Sequence, residues 1–183
     1  DFDVINSVCR SIKECVDMGV QVGLMVGAGN FWRGVKDGAD KMQRSHADAM
    51  GMLGTVMNSI AVADALSKHG VDARVLSAVE MHKFCEYFTR DTADRYLNAG
   101  KVVIFAAGTG NPYFSTDTGA VLRGVEIEAD AILMGKEAAI MAGLSSSHGD
   151  CCVVMDCDLQ HPPQTVIKMY RLWEQGYEVV EGV

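Results

Sequence analysis

The spacing of apolar and polar positions divides the chain into amphipathic helices and short buried runs. Over residues 3–18, Ile5, Val8, Cys9, Ile12, Cys15 and Val16 share one face at helical spacing, and Gly19 supplies a stop. Residues 20–26 form a short apolar run bounded by glycines, as expected of a strand buried on both faces. A long helix is predicted over 41–69, with Gly70 as its stop and Met50, Leu53, Val56, Met57 and Ile60 as its core-facing stripe. Residues 71–76 read as a strand, 81–88 fit neither period, 91–98 read as a short helix ended by Gly100, and 102–107 read as another buried strand. A helical pattern begins near Asp117 and runs to 128, and 131–134 begin a further strand. Beyond it, the pattern predicts a helix over 136–144, a strand over 151–155, a helix over 165–173 and a strand over 177–180.

Helix and strand alternate throughout, which predicts an α/β fold: a mainly parallel sheet between two layers of helices. In such sheets, ligands collect at the carboxyl ends of the strands. Two glycine-rich turns lie at those ends. Gly27-Ala28-Gly29-Asn30 follows the first strand, with Arg33 close behind. GTGNPYFSTDT, from Gly108 to Thr118, follows the run at 102–107. The second turn has the layout of an anion site: free amides at a helix start, short polar side chains and no bulk to block a phosphate. The same layout serves an ordinary loop feeding a helix, with Thr116 or Asp117 as its cap. Arg33 could hold a phosphate through a forked pair of hydrogen bonds or be a solvated surface residue. Asp48, near the start of the long helix, could accept from ribose hydroxyls or simply favour the helix dipole.

Composition narrows the choice. The 183 residues are 49% hydrophobic and 22% charged, enough for a sizeable core. A formal net charge of −8 argues against a general nucleic-acid binder and a polybasic membrane anchor. By this reading no apolar run approaches the length of a bilayer span and no secretory signal opens the chain. The six cysteines form no CxxC pair, which suits a reduced, cytoplasmic setting. The chain starts with Asp1 inside a helical pattern, as a fragment would.

Four segments in register carry a resemblance over residues 1–134: VGAGNFWRG from Val26, ADAMGMLGTVMN from Ala47, GTGNPYFSTDT, and EIEADAILM from Glu126. Together they resemble bacterial UMP kinase, of the amino-acid-kinase fold. The resemblance implies transfer of the γ-phosphoryl of ATP onto UMP with Mg²⁺, and a homohexamer packed through the long helix. It implies UMP contacts at Ala28, Asp48, Thr109, Gly110, Asn111, Pro112, Tyr113, Phe114, Ser115 and Thr116, and phosphate contacts at Gly29 and Arg33. The family usually has three glycines where this chain has Gly27-Ala28-Gly29. It also opens with a lysine-bearing strand and closes with an adenine-binding part, neither of which has a match here, so the kinase-like core is incomplete. No GxxxxGK[ST] motif is present, so this is not a P-loop kinase.

Residues 135–183 resemble instead the middle of a family 2 glycosyltransferase of the polyprenyl- or dolichyl-phosphate sugar synthase type, a short Rossmann-like piece. The carrying motifs are GKEAAIMAGL, VVMDCDLQHPP and LWEQGYEVVEGV. That likeness implies Mg²⁺ or Mn²⁺ at Asp156 and Asp158, whose carboxylates would be hard oxygen ligands beside a nucleotide-sugar diphosphate. Three expectations follow: a UMP kinase partial in this chain, a sugar transferase led by the second piece, or a non-catalytic chain that binds nucleotide at most. The joint is expected near Met134 and Gly135.

Overall fold

A computed structural model of the chain describes residues 2–32 and 41–132. In chain order these residues form α1 (Phe2–Asp17), β1 (Gly23–Met25), α2 (Arg44–Lys68), β2 (Ala73–Ser77), β3 (Glu86–Tyr87), α3 (Arg90–Asn98), β4 (Val102–Ala106) and α4 (Thr116–Glu126). The four strands make one parallel sheet in the order β1-β4-β2-β3. Central β4 pairs with β1 at Met25↔Phe105 and with β2 over Ala73↔Val102 to Ser77↔Ala106.

All five residues of β4 are buried, as its unbroken apolar run requires of a central parallel strand. Its side chains alternate between two cores. Val102 and Ile104 pack with Cys9 and Ile12 of α1 and with Val62, Ala65 and Leu66 of α2. Val103 and Phe105 pack with Leu76 and with Ala93 and Leu97 of α3, and Phe88 meets Phe105 edge to face. Helices therefore cover both faces and the three-layer expectation holds. The expected helix stops at Gly19, Gly70 and Gly100 all lie just past helices, in left-handed backbone.

Several local expectations are corrected. Of the stripe assigned to the core, only Val56 is buried; Met50, Leu53, Met57 and Ile60 are exposed. The inward face of α2 is instead Ala47, Gly54, Thr55, Ser59, Val62, Ala65 and Leu66. Small residues sit where the helix crosses the sheet and its loops closely, and the bulky ones are left on the far side. The same helix has 25 residues and an 18-residue window of mean hydropathy 1.3, long and apolar enough to cross a membrane, contrary to the expectation that no run is. Its inward face and its bonded Thr55, Asn58 and Ser59 give it the role of a core helix in this fold.

Residues 81–88, which fit neither period, resolve into a turn at 82–84 and the two-residue strand β3. The cap of α4 is Ser115, not Thr116 or Asp117: its hydroxyl accepts from the Thr118 amide at 3.1 Å. The strand expected over 131–134 does not begin at Ala131 or Ile132, which are irregular; its remainder lies outside the described residues.

Candidate functional site

Adjacent parallel strands β1 and β4 deliver both glycine turns to one rim of the sheet. Helix α2 runs beneath both and ties each in place. Asn58 donates from Nδ2 to the Gly27 carbonyl at 2.8 Å and to Asn30 Oδ1 at 2.9 Å. Trp32 Nε1 donates to the Ala47 carbonyl at 2.8 Å. The Ala28 carbonyl accepts from the Phe31 and Trp32 amides, closing the first turn. Ala28 is buried and is not among the described non-glycine residues with positive φ, so its backbone does not require glycine. Its methyl faces Gly54 so closely that a Cβ built there would lie 2.9 Å from it. Gly29, beside it, is exposed at the rim.

The second turn leaves β4 through Ala107 (φ 63), Gly108 (φ 57) and Gly110 (φ 79). A side chain at Gly110 would meet the Ala78 carbonyl oxygen at 2.9 Å, so both its backbone angle and its surroundings favour glycine. Thr109 and Asn111 organise the turn locally. The Asn111 amide donates to Thr109 Oγ1 at 3.2 Å and its Nδ2 donates to the Thr109 carbonyl at 3.2 Å. Pro112 is half-buried, while Asn111, Tyr113, Phe114 and Ser115 are exposed and Thr116 begins α4. Gly119 of α4 lies against Gly108 and Met25, where an added Cβ would come within 3.0 Å and 3.2 Å respectively, so α4 starts directly behind both strand ends.

Asp48 joins α2 to this turn. Its Oδ2 accepts from the Tyr113 amide at 2.8 Å. Arg44 Nε, one helical turn earlier, reaches both carboxylate oxygens at 2.9 Å and 2.8 Å, and its guanidinium lies 5.5 Å from the centre of the Tyr113 ring. The Asp48 side chain is 14% exposed, and both of its oxygens are already bonded within the rim.

The structure thus gathers Ala28, Gly29, Asp48 and residues 109–116 at one rim. Arg33, Asp156 and Asp158 lie outside the described residues. Sequence reasoning did not single out Arg44, Thr55 or Asn58. For Arg44 a signal was available, a cation four residues before Asp48. Thr55 and Asn58 are polar residues inside a helix, and nothing in their spacing names their partners. Among the described residues, no three His, Cys, Asp or Glu side chains converge as a metal cage.

Chemically, the rim offers backbone amides and hydroxyls from a preformed turn, a carboxylate suited to hydroxyl donors, and two exposed aromatic rings, Tyr113 and Phe114. That set suits a polar ligand with an anionic group and a planar ring.

Comparison with known proteins agrees with the fold. The structure is similar to UMP kinase from Ureaplasma parvum, with 37% identity and a TM-score of 0.70 over 75% of this chain and 60% of that one. It is similar to UMP kinase from Bacillus anthracis, at 31% identity and a TM-score of 0.70 over 75% and 57% of the two chains. Uridylate kinase from Archaeoglobus fulgidus shares the fold at 22% identity, with a TM-score of 0.53 over 73% and 56%. The chain therefore spans about three fifths of the length of these structures. Residues 127–183 match the sequence model of glycosyl transferase family 2. Residues 1–141 match that of the amino acid kinase family. With most of its length matched and a sheet that superposes on its members, the chain belongs to the amino acid kinase family.

Proposed function

We propose that the rim built by the two glycine turns binds UMP, and that the chain is part of a phosphotransferase moving the γ-phosphoryl of ATP onto UMP to give UDP. The observation that carries this reading is the convergence on α2 of Ala28 from one turn and Asp48-bonded Tyr113 from the other. Asp48 would take ribose hydroxyls, residues 109–116 would wrap the nucleotide, and Gly29 with Arg33 would face the phosphates. Phosphoryl transfer depends mainly on positioning and charge neutralisation, which glycine turns and an arginine supply without a protein nucleophile. Mg²⁺ would come with the phosphates of ATP, since the described residues build no cage for it. The setting would be cytoplasmic. A second copy of the chain would cover the exposed Met50, Leu53, Met57 and Ile60 of α2, and sedimentation velocity of a Leu53→Gln, Met57→Gln variant tests that contact.

Isothermal titration calorimetry of the full chain with UMP tests the central reading. Saturable binding that Asn111→Ala weakens supports it. Absence of binding heat removes it, as does an Asn111→Ala variant that binds like the parent.

A second reading rests on the glycosyl transferase family 2 match over residues 127–183. It assigns Mn²⁺- or Mg²⁺-dependent binding of a nucleotide sugar to Asp156 and Asp158, with a polyprenyl phosphate as acceptor. Loss of metal-dependent UDP- or GDP-sugar binding in Asp156→Ala would support it; equal binding with and without metal would not.

A further inference from the structure

Ala107 is the last buried residue before the second turn, and it is a non-glycine residue in left-handed backbone, with φ 63 and no solvent exposure. A Cβ makes that conformation costly, so the surroundings must hold it. The described structure shows the means. The Ala107 amide donates to Thr55 Oγ1 at 2.8 Å, and that hydroxyl donates in turn to the Met52 carbonyl at 2.6 Å. The Thr55 hydroxyl is thus a buried relay between the backbone of α2 and the first residue beyond β4. From Ala107 the carbonyl accepts from the Gly110 amide at 2.8 Å, which passes the constraint directly into the turn.

We propose that Thr55 is a positioning residue. It fixes the left-handed bend at Ala107 and so aims residues 108–115 at Asp48, setting the affinity for UMP without touching it. The inference rests on the UMP reading of the rim. Valine at 55 keeps the shape of threonine but can neither accept from the Ala107 amide nor donate to Met52. Serine keeps the hydroxyl. Ser59 is a control one turn further on: its buried hydroxyl donates to the Thr55 carbonyl at 2.7 Å and is not bonded to the turn.

The test measures UMP affinity by calorimetry, thermal unfolding and amide hydrogen exchange on the full chain. Thr55→Val should weaken UMP binding about tenfold, the order expected for one lost buried hydrogen bond that shapes a site. Thr55→Ser should stay within about twofold of the parent, a difference of under half that effect on a logarithmic scale. Ser59→Ala should lower the unfolding temperature and leave UMP affinity unchanged. In the free parent the Ala107 amide should exchange slowly, a readout that does not depend on any variant folding. Parent-like UMP affinity in Thr55→Val, an equal loss in Ser59→Ala, or fast exchange at Ala107 in the parent would each overturn the inference. A parent that binds no UMP overturns the proposed function, and the role in UMP affinity with it; a failed Thr55 comparison beside intact parent binding overturns only the positioning role.

Discussion

The contact between Gly54 and Ala28 gives a prediction in which two known effects oppose each other. Gly54→Ala would place a methyl 2.9 Å from the Ala28 Cβ. Apolar carbons pack best at about 3.5–4.0 Å, so helix and turn must separate by roughly 0.6–1.1 Å. The obstructing atom is itself a Cβ and cannot rotate away, so backbone has to move. In an exposed helix the same substitution would gain up to about 1 kcal/mol from helix propensity. Overpacking a tight contact costs about 1–3 kcal/mol. The cost wins, and a net loss of about 1 kcal/mol lowers the unfolding temperature of a chain this size by roughly 2–4 °C. Because the displaced segment is the first glycine turn, UMP affinity should fall as well. Ala28→Gly alone removes one nearly buried methyl, worth about 0.8 kcal/mol. The double variant should be less impaired than the sum of the two single changes by about 1 kcal/mol, since loss of the Ala28 methyl relieves the clash that the added methyl at 54 creates. Thermal unfolding of all four proteins measures this coupling. Strict additivity, or a Gly54→Ala chain more stable than its parent, would refute the close packing of α2 on the turn.

Asp48→Ala should weaken UMP binding and, by releasing the Tyr113 amide, speed its hydrogen exchange; calorimetry and exchange read the two effects separately. Arg123 is buried against Phe88, its guanidinium 4.0 Å from the ring centre and paired with Glu126, so Arg123→Met should destabilise the chain by about 1–3 kcal/mol in denaturant unfolding. The hydrogen bond from Lys101, at 2.6 Å, together with nearby Arg74, holds the Asp72 carboxyl below the usual carboxylate range, against a smaller opposing effect of burial. A carboxylate lowered in the folded state stabilises the fold above its unfolded value, and that contribution is lost as pH falls through the folded one. Asp72→Asn should therefore flatten the acid limb of the stability profile, slightly and less so at high salt, because the side chain is half-exposed.

What could be read from sequence follows from which signals are local. The run at 102–107 is apolar throughout, short and flanked by Gly100 and Gly108, which favours a strand buried on both faces. The glycines at 19, 70 and 100 stop helices through their own backbone freedom, which needs no distant partner. Periodicity misplaces the inward face of α2, except at Val56, because apolar residues lie on all its sides. The choice of inward face was made by size, at Gly54, Thr55 and Ser59, and size matters only once the opposing sheet and turns are known. Ser115, Thr116 and Asp117 are all competent caps for α4, and the geometry of the turn before them selects Ser115. At the rim, Asp48 and residues 109–116 could be named from sequence. Of the ties that hold the rim, the one from Arg44 to Asp48 spans four positions and has a spacing signature; those from Thr55 and Asn58 and from Asp48 to Tyr113 span 28 to 65 positions and have none.

The most direct test is to titrate the isotope-labelled full chain with UMP and follow the backbone amides. Saturable shifts concentrated at residues 28–29, 33, 48 and 109–116 are predicted, because both turns must close on one ligand. Shifts restricted to one of the two turns, or no shift at millimolar UMP, would contradict a shared nucleotide cradle.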